Sequence, residues 1–471
     1  MGNLRWKAPQ KPNPWEGVLE TKNFSHIAMQ YKSTPWVQFD EDQLSEDCLY
    51  LNVWKPVNVG DKKLPVLVNI HGGGFSYGEG SEPRIEGSSM ASKGMIVVTL
   101  NYRLNIFGFF AHPELSKESP HAASGNYGLL DQQFALQWVK NNIEEFGGDP
   151  NKITIAGESA GSFSVLSLIS SPLSKNLIAG AIGSSGGVMP LASLQDAEKS
   201  GQIVAEKVGY ATISELRTAS TDAIMDFYKE GKPDAYWPII DQYVLTKKTS
   251  EVFEAKEQAQ IPLLIGWNSA ELPPEVYLRG QDSSKENFVN ITKELYPKHV
   301  EDILKMFPHE TVAEIERSAA DLAALRFVVL GGWTWFDLHT KQSNKPVYRY
   351  LFSKIHLPLL PDSIDSKNYQ PPLGVGHSQE LAYSWGNLAL IKDYNFLEDD
   401  YKVSAIMQEY FSNFIKTGNP NGKDLPEWPE AKGNSQAPII MNIDTDTKLM
   451  SASLDYRFKF INDEGYPYSY F

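Results

Sequence analysis

Between residues 46 and 185 short β-branched runs alternate with helix-like stretches, and that alternation restricts the chain to one fold class. The candidate strands are Leu49–Trp54, Pro65–Ile70, Met95–Leu100, Lys152–Ala156 and Ile178–Gly183. Leu129–Phe146 reads as a helix, with Leu130, Phe134, Trp138 and Ile143 recurring on one face and Gly147-Gly148-Asp149-Pro150 stopping it. Such alternation predicts an α/β fold, a mostly parallel sheet covered by helices on both faces. Two further strands, Ile261–Trp267 and Val347–Phe352, each follow a helical stretch. Residues 190–235 and 281–340 are amphipathic and predict helical insertions that cap the sheet. No repeat or low-complexity linker interrupts the chain, so a single domain over residues 1–471 is expected, with Pro358–Pro372 as a surface loop.

Composition excludes several functions. A formal charge of -15 argues against binding nucleic acid or an anionic membrane, both of which require basic patches. One cysteine, Cys48, leaves no internal disulfide and no cysteine-built metal cage. Met1-Gly2-Asn3-Leu4-Arg5-Trp6 carries no secretion signal and fails the myristoylation pattern, and no run approaches the roughly 20 apolar residues of a membrane span. A cytoplasmic protein is expected from the sequence as written.

Gly-x-Ser-x-Gly, in which a strained strand-to-helix turn presents a serine, occurs three times: around Ser76, Ser159 and Ser185. Chance at this composition gives about 0.2 matches, so the excess is real but does not say which serine reacts. Context separates them. Ser159 directly follows the strand Lys152–Ala156 and precedes the helical run Ser162–Ile169. Ser76 runs on into Gly78-Glu79-Gly80-Ser81-Glu82-Pro83, and Ser185 is followed by two glycines and Pro190, which read as loops. Ser159 is the candidate nucleophile.

His71-Gly72-Gly73-Gly74 ends the strand Pro65–Ile70. A glycine run there lets backbone N–H groups face a site, and the residue after the nucleophile adds another, so Gly73, Gly74 and Ala160 are candidate oxyanion donors. A phosphate loop is the weaker reading, because no Gly-Lys-Ser/Thr follows. His71 precedes the serine and reads as a packed or hydrogen-bonding loop residue. In this fold the order is serine, acid, histidine. Of the five histidines beyond Ser159, only His377 lies in a small-residue loop, Gly374–Ser378. His299 and His309 read as solvated, and His339 as packed or surface. For the acid, Glu271 lies just past the strand Ile261–Trp267, where an open α/β sheet places site residues. Glu275 and Asp241 are less well placed alternatives.

Taken in order, these segments resemble the type-B carboxylesterase (cholinesterase-like) family of α/β-hydrolases, nearest the bacterial para-nitrobenzyl-esterase-like branch. The resemblance runs through Glu46-Asp47-Cys48-Leu49-Tyr50-Leu51-Asn52-Val53, His71–Phe75, Asn101-Tyr102-Arg103 with Gly108-Phe109, and Gly147-Gly148-Asp149-Pro150. It continues through Gly157-Glu158-Ser159-Ala160-Gly161, Gly376-His377, Thr417-Gly418-Asn419-Pro420 and Trp428-Pro429. It implies an α/β-hydrolase fold with Ser159 as nucleophile, Glu271 as acid, His377 as base, Gly73, Gly74 and Ala160 as oxyanion hole, and Ser185 as a hydrogen-bonding support. Three departures stand out. The family's cysteine partner near Met29 is absent, which makes Cys48 a buried free thiol. Leu272-Pro273-Pro274 replaces the glycine common after the acid. Met1–Trp6 matches the middle of a family motif, which implies that the family's N-terminal segment is missing and leaves a periplasmic or secreted full-length product open.

The expected activity is serine carboxylic-ester hydrolysis through an acyl-enzyme, on small or aromatic esters, without metal or cofactor, by a monomer or weak homo-oligomer. The rival is a non-catalytic binding or adhesion protein on the same fold, which retention of Ser159, Glu271 and His377 argues against. A third reading is a truncated chain that keeps the triad but turns over poorly. Tyr228, Tyr236, Trp237, Phe253, Trp267, Trp333 and Trp335 are candidates for a hydrophobic gorge, with plain core as the competing assignment. Nothing singles out an aromatic cage for a quaternary ammonium.

Overall fold

The β-branched runs form strands that begin and end within a few residues of their expected bounds. A computed structural model describes residues 4–31, 39, 41–57, 60, 62–207, 209–210, 212–230, 236–356, 372–392, 394–432 and 439–465. The expected loop over 358–371 lies outside the described residues. The chain divides into two units, Met1–Ile182 with Leu191–Ile261, and Gly183–Pro190 with Pro262–Phe471.

The first unit contains β1 (Leu51–Trp54), β2 (Leu64–Ile70), β3 (Ile96–Leu100), β4 (Gly148–Glu158) and most of β5 (Gly180–Ser184), in the order β1-β3-β2-β4-β5. β1 is antiparallel to β3, whereas β3, β2 and β4 are parallel. Every residue of β3 is buried, as a β-branched run requires when both faces are covered. Two short parallel segments, β6 (Ala192–Ser193) and β7 (Ile239–Ile240), pair with each other. In the second unit β8 (Leu263–Asn268), β9 (Val347–Phe352) and β10 (Ile439–Ile443) are parallel, and β11 (Lys448–Ser451) returns antiparallel on β10. Residues 281–340 are helical as expected, in Lys285–Leu295, Val300–Met306, Val312–Ala324 and Leu330–Gln342. Among the described residues no helix is long and apolar enough to cross a membrane.

Two expectations are corrected. β4 starts at Gly148, so Gly148-Asp149-Pro150 belongs to a strand rather than to a helix stop; the left-handed Gly147 alone ends the preceding turn. The helix spans Tyr127–Asn142 and continues as a 3-10 turn to Phe146, but its buried stripe is Gly128, Gln132, Leu136, Val139 and Ile143. Leu130, Phe134 and Trp138 are only half-buried. Polar burial shifts the stripe. Gln132 donates to Ser164 Oγ at 3.0 Å, and Asp131 receives Arg103 Nε and Nη2, each at 2.7 Å, plus the Arg103 backbone N–H at 3.0 Å.

Arg103 and Asp131 are both buried, and Arg103 Nη1 also donates to Lys7 O at 2.8 Å. Cys48 is buried and unoxidised, and burial raises its thiol pKa. Removing one member of a buried pair strands the other charge. Asp131→Asn is therefore expected to lower unfolding stability by about 3–5 kcal/mol in chemical denaturation. An unchanged midpoint would show that Arg103 finds another partner.

Candidate active site

β2 and β4 lie side by side in parallel, with Ile70 opposite Gly157. Their C-terminal ends bring the loop His71–Gly74 and the turn at Ser159 together. Ser159 follows β4 with φ 54° and ψ −123°, a left-handed region that costs a residue with a side chain energy, and the helix Ala160–Ser170 starts at the next residue. Glycine is required on either side. A Cβ on Gly161 would lie 2.1 Å from Ile70 O, and one on Gly72 would lie 2.7 Å from Glu158 O and 3.2 Å from Ser159 Cβ. The glycine loop therefore packs directly against the serine turn.

Gly73 and Gly74 both have positive φ, at 101° and 59°, and Gly73 O accepts the N–H groups of Ser76 and Tyr77. Ala160 opens an all-buried helix, where the first N–H groups have no partner within the helix and the dipole favours negative charge. His71 is packed as expected. It is buried, its Nδ1 lies 2.8 Å from Gly72 O, and its ring stacks on Tyr102, whose hydroxyl donates to His71 O at 3.0 Å. Burial pushes the His71 ring down to about 4, so it stays neutral above mild acid. Ser76 turns back on its own loop, with Oγ donating to Gly74 O at 3.2 Å.

The second unit brings Glu271 and His377 together. His377 Nδ1 lies 2.7 Å from Glu271 Oε2, and the His377 backbone N–H donates to Glu271 O at 3.1 Å. The other carboxylate oxygen, Oε1, accepts Ser185 Oγ and the Asn268 backbone N–H, both at 2.6 Å. Glu271 is buried, so these donors replace the water that a carboxylate otherwise needs. Ser185 sits at the end of β5 with φ 49°, its N–H bonded to Gly266 O at 2.8 Å. The sequence carried no residue-level sign of Asn268. Its buried side-chain amide donates to Gly376 O at 2.9 Å and to Glu380 Oε2 at 2.6 Å. Phe327, in a π-helical turn over Leu325–Val329, sets its ring edge-on against His377 at 4.8 Å.

The alternative side chains each have surroundings of their own. Asp241 spends its carboxylate on the backbone N–H groups of Tyr243, Val244 and Leu245. Glu275 is exposed at the start of a short helix. His299 and His309 are half-buried and partnered rather than solvated, His299 with Asp302 and Glu464, His309 with Phe307 O. His339 and His356 are buried. Leu272 packs against the cluster around Tyr277, Leu278 and Phe288, and Pro273-Pro274 opens the helix Pro274–Leu278, so the departure from glycine builds local core. Six of the seven gorge candidates are core; only Trp237 is half-buried, its ring set against Phe75 at 5.3 Å and Phe163 at 6.2 Å.

Comparison with known proteins agrees with this architecture. The carboxylesterase family profile matches residues 1–460. The chain is 33% identical to the fumonisin B1 esterase of Sphingopyxis macrogoltabida, over 91% of this chain and 79% of that one. It is 31% identical to carboxylesterase 5A of Mus musculus, over 97% and 82%, and 31% identical to the para-nitrobenzyl esterase of Bacillus subtilis (strain 168), over 94% and 88%. Matched almost from end to end, the chain belongs to the carboxylesterase family of α/β-hydrolases and is a carboxylic-ester hydrolase.

Proposed function

We propose that this hydrolase works through an acyl-enzyme on Ser159, with His377 as general base and acid, Glu271 as its carboxylate partner, and the N–H groups of Gly73, Gly74 and Ala160 as oxyanion hole. The observation that carries the reading is the Glu271–His377 pair. A carboxylate at 2.7 Å from Nδ1 favours the tautomer with its proton on Nδ1, which leaves Nε2 as the basic nitrogen. Ser185 and the Asn268 N–H hold the second oxygen, so the carboxylate orients the ring without turning away.

Catalysis then follows from proton bookkeeping. Nε2 takes the Ser159 proton as Oγ bonds to the ester carbonyl carbon, and the carbonyl oxygen becomes an oxyanion facing backbone donors. Collapse expels the alkoxide, which leaves as the alcohol with the proton from Nε2. Water, deprotonated by the same nitrogen, attacks the acyl carbon; the bond to Oγ breaks, Ser159 takes a proton back from Nε2, and the acid is released. The strained Ser159 backbone and the glycines packed round it support the nucleophile assignment. The preferred substrates are small or aromatic carboxylic esters, a reading supported by the rings next to the serine turn. Phe75 follows Gly74, and the Phe163 N–H bonds Ser159 O at 3.0 Å with half-buried Trp237 against both rings.

Para-nitrophenyl ester turnover by purified variants tests the assignment. Ser159→Ala and His377→Ala should each lose about 10⁴-fold or more in kcat, as losing one member of a concerted group does. Either variant retaining near wild-type turnover contradicts the assignment. In the wild type, kcat/KM should fall on acidification, because a protonated imidazole cannot act as base. His71, pushed down to about 4 by burial, contributes nothing to a loss above that pH. Ser185→Ala removes one charge-assisted hydrogen bond to Glu271 and should lower kcat about tenfold with little change in KM. Loss confined to KM would place Ser185 in substrate binding instead.

A further inference from the structure

Resting on the assignment of Glu271 and His377 above, we propose that Arg317 is a positioning residue that holds the acid-bearing turn and the histidine-bearing loop in register from outside. Arg317 lies on the helix Val312–Ala324, half-exposed and remote in sequence from both loops. Its Nη2 donates to Ser269 O at 2.9 Å, two residues before Glu271, and its Nη1 donates to Leu373 O at 3.3 Å, four residues before His377. One rigid guanidinium thus spans both segments.

The guanidinium is itself held. Nη2 also pairs with Asp321 Oδ1, one helical turn further along, and Asp321 Oδ2 faces Arg457 Nη1 at 3.6 Å on the helix Asp455–Asp463. Besides the bonds between Glu271 and His377 themselves, the two segments are joined by further hydrogen bonds near the reacting end. Ala270 N–H donates to Val375 O at 2.9 Å, Val375 N–H to Ser269 Oγ at 3.0 Å, and the Asn268 amide to Gly376 O. Arg317 adds a bond at Leu373 O, outward of these along the histidine-bearing loop. Planar, with donors at fixed angles, arginine reaches two carbonyls at once; lysine, a single point donor, reaches one. Small misplacements of a general base cost large factors in rate without changing ground-state binding.

The test compares Arg317→Ala and Arg317→Lys with the wild type on para-nitrophenyl butyrate, with every rate normalised to sites titrated by a fluorophosphonate. Arg317→Ala should lower kcat per titrated site about tenfold with KM within twofold, and Arg317→Lys should recover only part of the loss. Asp321→Asn, which loosens the guanidinium without touching either loop, should show a smaller loss of the same kind. Wild-type kcat per site in Arg317→Ala overturns the proposal, even if less protein folds. So does full recovery in Arg317→Lys, which would reduce the role to charge. His377→Ala in the same assay separates the cases. If it stays active, the catalytic assignment itself fails; if it is dead while Arg317→Ala is normal, only the positioning role fails.

Discussion

Parallel pairing of β2 with β4 is the constraint on which the turn at Ser159 depends. It sets the ends of the two strands level, so the chain must turn at Ser159 beside a second chain that turns at Gly72. There is no room for side chains where those turns meet, and Gly72 and Gly161 are the residues that pass. The serine then takes a positive φ because the helix that follows must start at once. Strain at one residue and glycine at its neighbours are two results of a single register.

A second constraint is electrostatic. A buried carboxylate is tolerable only when its oxygens are occupied, and Glu271 has donors on both. The donors are Ser185, Asn268 at the end of β8, and His377, so Glu271 is held by three stretches of chain that are far apart in sequence. That explains why so much surrounding structure serves one side chain. Asn268 donates its backbone N–H to the carboxylate and its side-chain amide to Gly376 O on the next loop. Arg103 with Asp131 applies the same rule away from the site, where a buried charge pair ties the helix Tyr127–Asn142 to the chain after β3.

How much of this was legible in the sequence depended on how local the cause is. Strands built from β-branched runs were readable, as was the strained turn at Ser159, because strand, turn and helix adjoin within a dozen residues. The helix face around Leu130 was misread because its true stripe includes Gly128 and Gln132, whose burial makes sense only with partners such as Ser164 in view. The Gly148-Asp149-Pro150 stretch reads as a break, yet pairing of Gly148 with Leu64 makes it strand. Position after a strand left Glu271, Glu275 and Asp241 open, and that Asp241 caps its own turn is visible only in the fold. Arg317 was invisible for the plainest reason: it acts on residues about fifty positions away in both directions. For the aromatic candidates the sequence left gorge and core side by side, and all but Trp237 are buried.

The central claim is a covalent intermediate on Ser159, and pre-steady-state kinetics tests it most directly. Stopped-flow mixing with para-nitrophenyl butyrate, followed by quench and peptide mass analysis, reads both the burst and the site of acylation. The account predicts a burst approaching one para-nitrophenol per chain and a butyryl group on the peptide that contains Ser159. A linear release with no burst, and no acyl group on that peptide while turnover proceeds, would contradict it.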